Sequence, residues 1–473
     1  MTDDPKIAPV TQTSDAKKPR RRRAAPTVAR ERTELQMSEV FVARFGAELH
    51  YCDDLGGWFA WTGTHWELDT LERRREYVKT IARGIASEAA ALLDADTFRS
   101  AKRAGSAAGV NAILDLARST PGIIFSPDDA NRDPWLLTCT TGTIDLRTAT
   151  LRPHDRADLI TRCCPVAYDP QAEAPRFRQF LAEILRPEVA DFLARLFGCA
   201  AAGVVRDHVL GVLWGKGQNG KSVLAEVMMH VFGDYAKPGP SSLIVANGSH
   251  EPHPTDVASC VGSRLVIVHE TKRGATFDAS KVKLLTGGDR LTARHMREDF
   301  FAFTPSHTLV MLSNYRPEAD ATDAALWRRV LLVPFEVVIP EANRDAKLGE
   351  KLRAEAPGIL RWLVEGCLAW QRDGLAPPTV VREQTEAYRS SEDVIGAFLD
   401  ERTVRVTGHR QPAGTLYAAF KSWAEAQGSK PARGNDFAAE LVGRGFRRDT
   451  VRAGTFYLGI MLRSEHDDDR SDS

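Results

Sequence analysis

The sequence of 473 residues contains no long apolar segment. A helix that spans a membrane needs about 20 consecutive apolar residues, whereas runs such as Leu309–Leu312 are much shorter. The first residues are polar and basic, and they lack the apolar core of a secretory signal. We therefore expect a cytoplasmic protein that has no membrane partner.

Cysteine is scarce and scattered, and neither sign of charge is in excess. The seven cysteines form no Cys-x-x-Cys pair, so a zinc ribbon has no support and we expect reduced, mostly buried thiols. The 63 basic residues balance 63 acidic ones. Any binding to DNA must therefore depend on local basic surfaces, because the net charge offers no attraction.

Changes in composition divide the chain into segments. Residues 1–34 lack apolar periodicity and predict a disordered basic arm, whose run Lys17–Arg23 could contact DNA phosphates or stay a solvated charge cluster. The aromatic residues at 58–66 are expected to pack in a small sheet, with base stacking as the alternative. The other predicted segments are an α+β N-terminal domain at 35–175, an ATPase domain at 176–345, a helical extension and linker at 346–390, a small mixed domain at 391–463 and an acidic tail at 464–473.

The most specific motif follows the apolar run Val209–Trp214. It matches G-x-x-x-x-G-K-[ST] and precedes a helical pattern, which is the strand–loop–helix context of a P-loop. Such a loop surrounds phosphates with backbone N–H groups at a helix N-terminus. Lys221 should reach the β- and γ-phosphates of ATP, and the Ser222 hydroxyl should ligate Mg²⁺. The predicted nucleotide-binding residues are Gly215, Lys216, Gly217, Gln218, Asn219, Gly220, Lys221 and Ser222.

Three further elements predict that the bound nucleotide is hydrolysed. An apolar strand beside the P-loop strand ends at Glu270, whose carboxylate would hold Mg²⁺ or polarise the attacking water. Another apolar strand ends at Asn314, which could orient that water against the γ-phosphate. Arg328 and Arg329 precede a further strand, and one of them could act as an arginine finger on the ATP of a neighbouring subunit.

The P-loop and these three elements, in this order, resemble the superfamily 3 helicases. The asparagine before Gly-Lys-Ser, Asn219, strengthens the resemblance. By that resemblance Lys221, Glu270, Asn314 and Arg328 are the catalytic residues, because the spacing of Arg328 before the next strand matches the finger better than that of Arg329. One departure is that Glu270 is followed by Thr-Lys-Arg, with no further acid.

The segment Lys283–Arg297 is similar to an additional motif of that family. In the family this motif carries a hairpin that projects into the central channel of a hexameric ring. The resemblance places Arg294 and His295 at the hairpin tip as DNA-binding residues, with Arg297 close behind. Alternatively, the two arginines form surface ion pairs with the acids at 298 and 299.

More narrowly, the chain resembles the phage/plasmid primase–helicase family, which is related to the poxvirus primase–helicase. The resemblance depends on Thr141–Arg147 and Leu151–Asp155 before the ATPase domain, and on Leu416–Trp423 with Phe437 after it. It implies an α/β fold with a P-loop AAA+-like superfamily 3 helicase core. The N-terminal α+β domain would be of the phage/plasmid primase type, and 391–463 would be a winged-helix-like DNA-binding domain.

Together these observations predict an ATP-dependent DNA helicase or translocase that replicates a phage, prophage or plasmid in a bacterial host cell. A homo-hexamer would hydrolyse ATP at subunit interfaces and move single-stranded or forked DNA with its channel hairpins. A priming site needs paired carboxylates for two metals, and no pair follows a convincing apolar strand, so we expect a separate primase or polymerase. The alternatives are a replication initiator or loader that uses ATP as an assembly switch, and a DNA-binding protein that does not bind ATP.

Overall fold

The computed structural model describes residues 33–246, 253–269, 273–294, 296–297 and 299–463. The chain divides into two compact units, one comprising Met1–Tyr51 and Asp69–Ile124, the other Cys52–Leu68 and Phe125–Ser473. No helix in the described ranges has the length and apolarity needed to cross a bilayer. All seven cysteines lie within those ranges, and each is a buried free thiol, which confirms the expectation of buried thiols.

The first unit is helical. Thr33, Asp94 and Ser106 cap three of its helices, because each side-chain oxygen accepts a hydrogen bond from a backbone N–H of the first turn. Phe41 and Ile113 are buried in its interior. Its helices are α1 (Glu34–Phe45), α2 (Arg73–Ala91), α3 (Ala95–Ala104) and α4 (Ala107–Ala117), and it contains all of β1 (Leu49–Cys52) except Cys52.

The second unit begins with short antiparallel strands. Trp66 and Phe59 are buried in a small apolar cluster, which confirms the expected core packing of these aromatics. The strands are β2 (Gly57–Trp61) and β3 (Trp66–Leu68), which pair with each other, and β4 (Leu136–Cys139), β5 (Gly142–Asp145) and β6 (Thr150–Arg152), which form a meander.

A five-stranded parallel sheet forms the centre of the second unit. Its strand order is β13-β7-β12-β9-β8, and its strands are β7 (Leu210–Trp214), β8 (Ala236–Gly239), β9 (Leu265–Val268), β12 (Thr308–Ser313) and β13 (Val330–Pro334). Every residue of β9 and β12 is buried, as in parallel sheets covered on both faces. The prediction that the strand before Glu270 lies beside the P-loop strand is wrong, because β12 pairs with both β7 and β9 and separates them.

Helices and one hairpin accompany this sheet. They are α5 (Pro175–Ile184), α6 (Pro187–Ala202), α7 (Lys221–Phe232), α8 (Pro254–Ala258), α9 (Ala279–Leu285), the paired strands β10 (Leu291–Arg294) and β11 (Phe300–Phe303), α10 (Ala324–Trp327), α11 (Leu348–Ala354), α12 (Ala356–Asp373) and α13 (Thr379–Glu392). Helices α6 and α12 meet at two glycines. A Cβ at Gly366 would lie 2.0 Å from the Ala194 carbonyl oxygen, and one at Gly198 would lie 2.2 Å from the Cys367 nitrogen. Any side chain there would force the helices apart.

A small mixed domain ends the second unit. It comprises α14 (Val394–Arg402), β14 (Thr403–Pro412), α15 (Ala413–Ala426), α16 (Gly434–Gly443), β15 (Arg447–Val451) and β16 (Gly454–Leu462). Its antiparallel sheet has the order β14-β16-β15. Phe398, Phe420 and Phe437 pack together in its core.

His307, just before β12, is a buried titratable group that should make stability depend on pH. Burial lowers its pKa from 6.5 to about 4, and the Leu285 backbone offsets this only in part. As the pH falls, His307 therefore binds a proton near pH 6.5 in the unfolded chain but only near pH 4 in the folded protein. The stabilisation is fully present above pH 6.5 and is lost as the pH falls through this window.

We expect this group to reduce the free energy of unfolding by about 2 kcal/mol between pH 7 and pH 5. Urea denaturation at both pH values, on the wild type and on His307→Gln, measures that contribution as the difference between the two pH dependences. The same pH dependence in both proteins would show that His307 does not carry it.

Candidate functional site

The predicted P-loop connects β7 to α7 in the expected strand–loop–helix order. Gly217 and Gly220 have φ angles of 95° and 82°, in the left-handed region that favours glycine. A Cβ at Gly220 would also lie only 2.9 Å from Phe180 and Ile184 side-chain atoms of α5. Both the turn and the packing beneath it therefore require glycine at the N-terminus of α7.

Lys221, the first residue of α7, is only 4% exposed. Its Nζ donates hydrogen bonds to the Gly215 carbonyl oxygen at 2.6 Å, to Asn219 Oδ1 at 3.0 Å and to Asn314 Oδ1 at 3.2 Å. Asn314 reaches the lysine because β7 and β12 are adjacent and parallel, with Ser313 paired to Trp214. Two predicted catalytic residues, 93 positions apart, thus meet at one edge of the sheet.

Asn219 connects this lysine to a further strand. It is 2% exposed, and its Nδ2 donates to the Phe335 carbonyl oxygen, just after β13, at 3.1 Å. Gly215 allows this contact, because a Cβ there would lie 2.3 Å from both Asn219 Nδ2 and the Phe335 oxygen. The end of β13 is therefore joined to Lys221 through one amide side chain.

The remaining loop residues face solvent. Lys216, Gln218 and Ser222 are exposed, so the Ser222 hydroxyl is accessible in the first turn of α7, as a Mg²⁺ ligand must be. Gln218 Oε1 accepts a hydrogen bond from Arg344, a residue that the sequence patterns did not single out. Glu270, the other predicted metal ligand, lies outside the described residues; β9 ends at Val268 and His269 is exposed.

Arg328 and Arg329 follow α10 and differ in their surroundings. The Arg329 guanidinium donates to the Ala325 carbonyl oxygen at 2.8 Å, and its own carbonyl oxygen accepts from the Leu210 N–H. The Arg328 side chain is exposed. Of the two, Arg328 is therefore the one available to a second molecule.

An aspartate holds the helix that presents these arginines. Asp323 caps α10 through the N–H groups of Ala325 and Leu326 and pairs with Lys283 Nζ at 2.9 Å. Partial burial alone would raise the pKa of Asp323, but the hydrogen bond from Lys283 brings it below its ordinary value. The charged pair thus ties α10 to α9.

Strands β10 and β11 form the hairpin expected from the additional motif, with Arg294 paired to Phe300 at its last register position. The Arg294 guanidinium lies 4.7 Å from the centroid of the Phe300 ring. Arg297 is exposed in the turn with φ of 67°. His295 and Glu298 lie outside the described residues, and among those that are described no ion pair joins either arginine to Asp299.

Comparisons with known proteins give matches along most of the chain. Family models match residues 38–186 ("D5 N terminal like"), 213–329 (a family of unknown function) and 390–448 ("Poxvirus D5 protein-like"). A structural comparison with the apo C-terminal region of NrS-1 gives a TM-score of 0.42 at 10% identity, over 63% of this chain and 78% of that one.

Relatives named as helicases and primases come from viruses. A "Putative helicase" of Acanthamoeba polyphaga mimivirus is 25% identical over 64% of this chain and 34% of its own length. A "Putative helicase" of Invertebrate iridescent virus 6 is 27% identical over 51% of this chain and 26% of its own length. A "Putative primase" of African swine fever virus is 25% identical over 58% of this chain and 31% of its own length.

The chain thus spans only about a third or less of the length of these relatives. None of them supports the expected bacterial host. The D5-type family matches at both ends agree with the resemblance found in the sequence. These matches together fit the primase–helicase family related to the poxvirus D5 protein.

Proposed function

We propose that the protein is an ATP-dependent DNA helicase or translocase of superfamily 3 that acts in the replication of a virus-like or plasmid element. The observation behind this proposal is the hydrogen bond from Lys221 to Asn314 at the carboxyl edge of β7 and β12. A loop that only binds nucleotide needs the lysine, whereas hydrolysis also needs a polar group that can orient water at the γ-phosphate.

The reaction follows from the positions of these side chains. The loop N–H groups and Lys221 bind the ATP phosphates, and Ser222 with Glu270 would hold Mg²⁺, which offsets phosphate charge. When ATP enters, Lys221 exchanges its bonds to protein oxygens for bonds to phosphate. Asn314 Oδ1 then loses its bond to Lys221, and the Asn314 amide orients the attacking water.

The exposed Arg328 supports assembly into a ring, proposed to be a homo-hexamer. Within one chain Arg328 has no described carboxylate partner, and an arginine finger acts on the nucleotide of a neighbour. The paired strands β10 and β11 would project Arg294, His295 and Arg297 toward DNA in the ring's channel. The small domain at 391–463 is proposed to be a winged-helix-like module, because its order of helices and strands and its β14-β16-β15 sheet fit that fold.

Priming is proposed to belong to a separate chain. The carboxylate pair Asp53–Asp54 follows β1 in a turn, and Asp128–Asp129 lies in another turn, so neither pair stands at the edge of a buried sheet. The viral relative named as a putative primase is a longer protein, and this chain matches 31% of its length.

Measuring ATP hydrolysis with and without single-stranded DNA, together with unwinding of a forked duplex, tests the proposal. A helicase should show DNA-stimulated turnover and strand separation. An initiator or loader that uses ATP as an assembly switch would bind ATP and DNA without processive unwinding, and that result would contradict the proposal.

The hairpin gives a further expected result. The double substitution Arg294→Ala with His295→Ala should keep basal ATP hydrolysis and ring assembly but lose stimulation by single-stranded DNA. Its log–log salt dependence of DNA affinity should be shallower by about 0.7 per lost phosphate contact. Thr292→Ala, at an exposed position on the same hairpin, is the control. Unchanged unwinding in the double variant would remove the hairpin from the mechanism.

A further inference from the structure

In the small C-terminal domain, the helix that usually reads DNA in a winged helix carries no basic residue after its N-cap, Arg433. In helix-turn-helix proteins the second helix of the pair enters the major groove, and that position is taken here by α16. Between Gly434 and Gly443 this helix has no lysine or arginine, but it carries Asp436 and Glu440. Two carboxylates would repel phosphates, so any DNA contact of this domain should lie elsewhere.

A crevice of about 760 Å³ opens in this domain beyond the C-terminal end of α16. It lies where the C-terminal end of α14, the start of β14, the loop after α16 and the end of β16 come together. Its polar lining consists of Asp400, Thr403, Arg405, Arg444 and Arg463, with Phe446 as its aromatic wall. Three arginines therefore face this space against one aspartate.

Arg444 has a structural role in the crevice. It pairs with Asp393 and, at 2.7 Å, with Glu440 Oε1. Those two carboxylates do not line the crevice, but they offset most of the Arg444 charge. The positive charge available to a ligand must therefore come from the other two arginines.

Arg405 and Arg463 are both exposed. The Arg405 guanidinium lies 4.7 Å from the centroid of the Phe446 ring. Arg463 donates to the backbone carbonyl oxygens of Thr403 and Asp400, each at 3.3 Å. In the described part of the chain neither is paired with a carboxylate. Since a guanidinium has five N–H donors, both arginines keep donors for a ligand.

We propose that this crevice binds a phosphate group, and that the phosphate belongs to the backbone of DNA. Two guanidinium groups fixed by an aromatic ring and by backbone carbonyls suit phosphate oxygens, which accept paired hydrogen bonds from such forks. The choice of DNA rests on the proposed function of the protein. Free inorganic phosphate is the other source of the same chemistry, and the experiment separates the two.

The test compares full-length proteins without ATP, by fluorescence anisotropy with a labelled single-stranded oligonucleotide over a series of salt concentrations. Arg405→Gln with Arg463→Gln should bind DNA about tenfold more weakly, with a log–log salt slope shallower by about 0.7. The charge-preserving pair Arg405→Lys with Arg463→Lys should keep the wild-type slope. Arg83→Gln with Arg372→Gln removes the same charge from two exposed surface pairs and should behave as the wild type does.

Several outcomes would overturn the inference. These are a wild-type slope in the glutamine variant, an equal loss in the Arg83 and Arg372 control, or a loss confined to Arg447→Gln with Arg448→Gln on β15. Inorganic phosphate that binds the wild type but not the glutamine variant, with DNA affinity equal in the two proteins, would assign the crevice to free phosphate instead. Absence of DNA binding by the wild type would contradict the proposed function itself.

Discussion

Lys221→Ala should abolish ATP hydrolysis, with turnover at least about a hundredfold below that of the wild type. The lysine is buried at the start of α7, and its three described hydrogen-bond acceptors are oxygens beside the proposed phosphate site. The other lysine of the loop, Lys216, is exposed, whereas Lys221 is buried among these oxygens. Unwinding should be lost together with turnover.

The hydrogen bonds of Lys221 also predict how Lys221→Ala changes the free energy of unfolding. Removing Lys221 leaves the Gly215 carbonyl oxygen and the Asn219 amide without this donor, so a loss of about 1–3 kcal/mol in the free energy of unfolding is expected. Lys221→Met fills more of the space and should reduce that loss. Steady-state hydrolysis and thermal unfolding of both variants separate catalysis from folding, with Lys102→Ala, at an exposed position on α3, as the matched control. Normal turnover in Lys221→Ala would refute the P-loop assignment.

Much of this site could be predicted from the sequence because its parts are local. The glycine spacing specifies the loop before Lys221, and short apolar runs specify the buried strands that lead to Asn314 and to the Glu270 segment. Each of these signals is contained within a few neighbouring residues. The hairpin, by contrast, is expected only from the resemblance of Lys283–Arg297 to a family motif.

What the sequence could not supply are the contacts between distant segments. The position of β12 between β7 and β9 depends on pairing across the sheet, and no local pattern records it. The Asn219 bond to the Phe335 carbonyl oxygen joins residues 116 positions apart. A buried asparagine within a glycine loop is the one hint, since a buried amide must find partners.

Arg264 is a second example. Its position just before an apolar strand suggests a surface charge. Arg264 is nevertheless only 4% exposed, and its guanidinium lies 4.5 Å from the centroid of the Tyr235 ring. Its guanidinium donates to the Leu136 carbonyl oxygen at 2.7 Å and also to that of Ala201. Burial lowers its pKa from the ordinary value. It thereby ties β4 and α6 to the central sheet, which only the folded structure can reveal.

The structure also bears on how hydrolysis could be coupled between subunits. Arg328 lies two residues before β13. The Phe335 carbonyl oxygen just after β13 accepts a hydrogen bond from Asn219, whose Oδ1 accepts one from Lys221. One short strand and one amide side chain thus lie between the arginine proposed to act on a neighbour and the lysine proposed to bind the chain's own phosphates. We propose that a displacement of Arg328 at an interface reaches Lys221 by this route.

Arg328→Ala should leave ATP binding nearly normal but suppress hydrolysis in the assembled ring about 10³-fold or more, the range known for arginine fingers. The reason is that its exposed side chain has no described role within its own subunit, whereas Arg329 is fixed to Ala325. Nucleotide affinity measured by equilibrium binding and turnover measured on the assembled protein test both parts.

Mixing this variant with Lys221→Ala protein tests action between subunits. An Arg328→Ala subunit keeps its own Lys221, and a Lys221→Ala neighbour supplies the missing arginine, so that interface is complete. With equal amounts and random assembly into a head-to-tail ring, roughly a quarter of the interfaces should be complete and should restore turnover in proportion. Failure to recover activity, with assembly verified by light scattering, would show that Arg328 does not act in trans. Recovery with Arg329→Ala in its place would identify Arg329 as the finger.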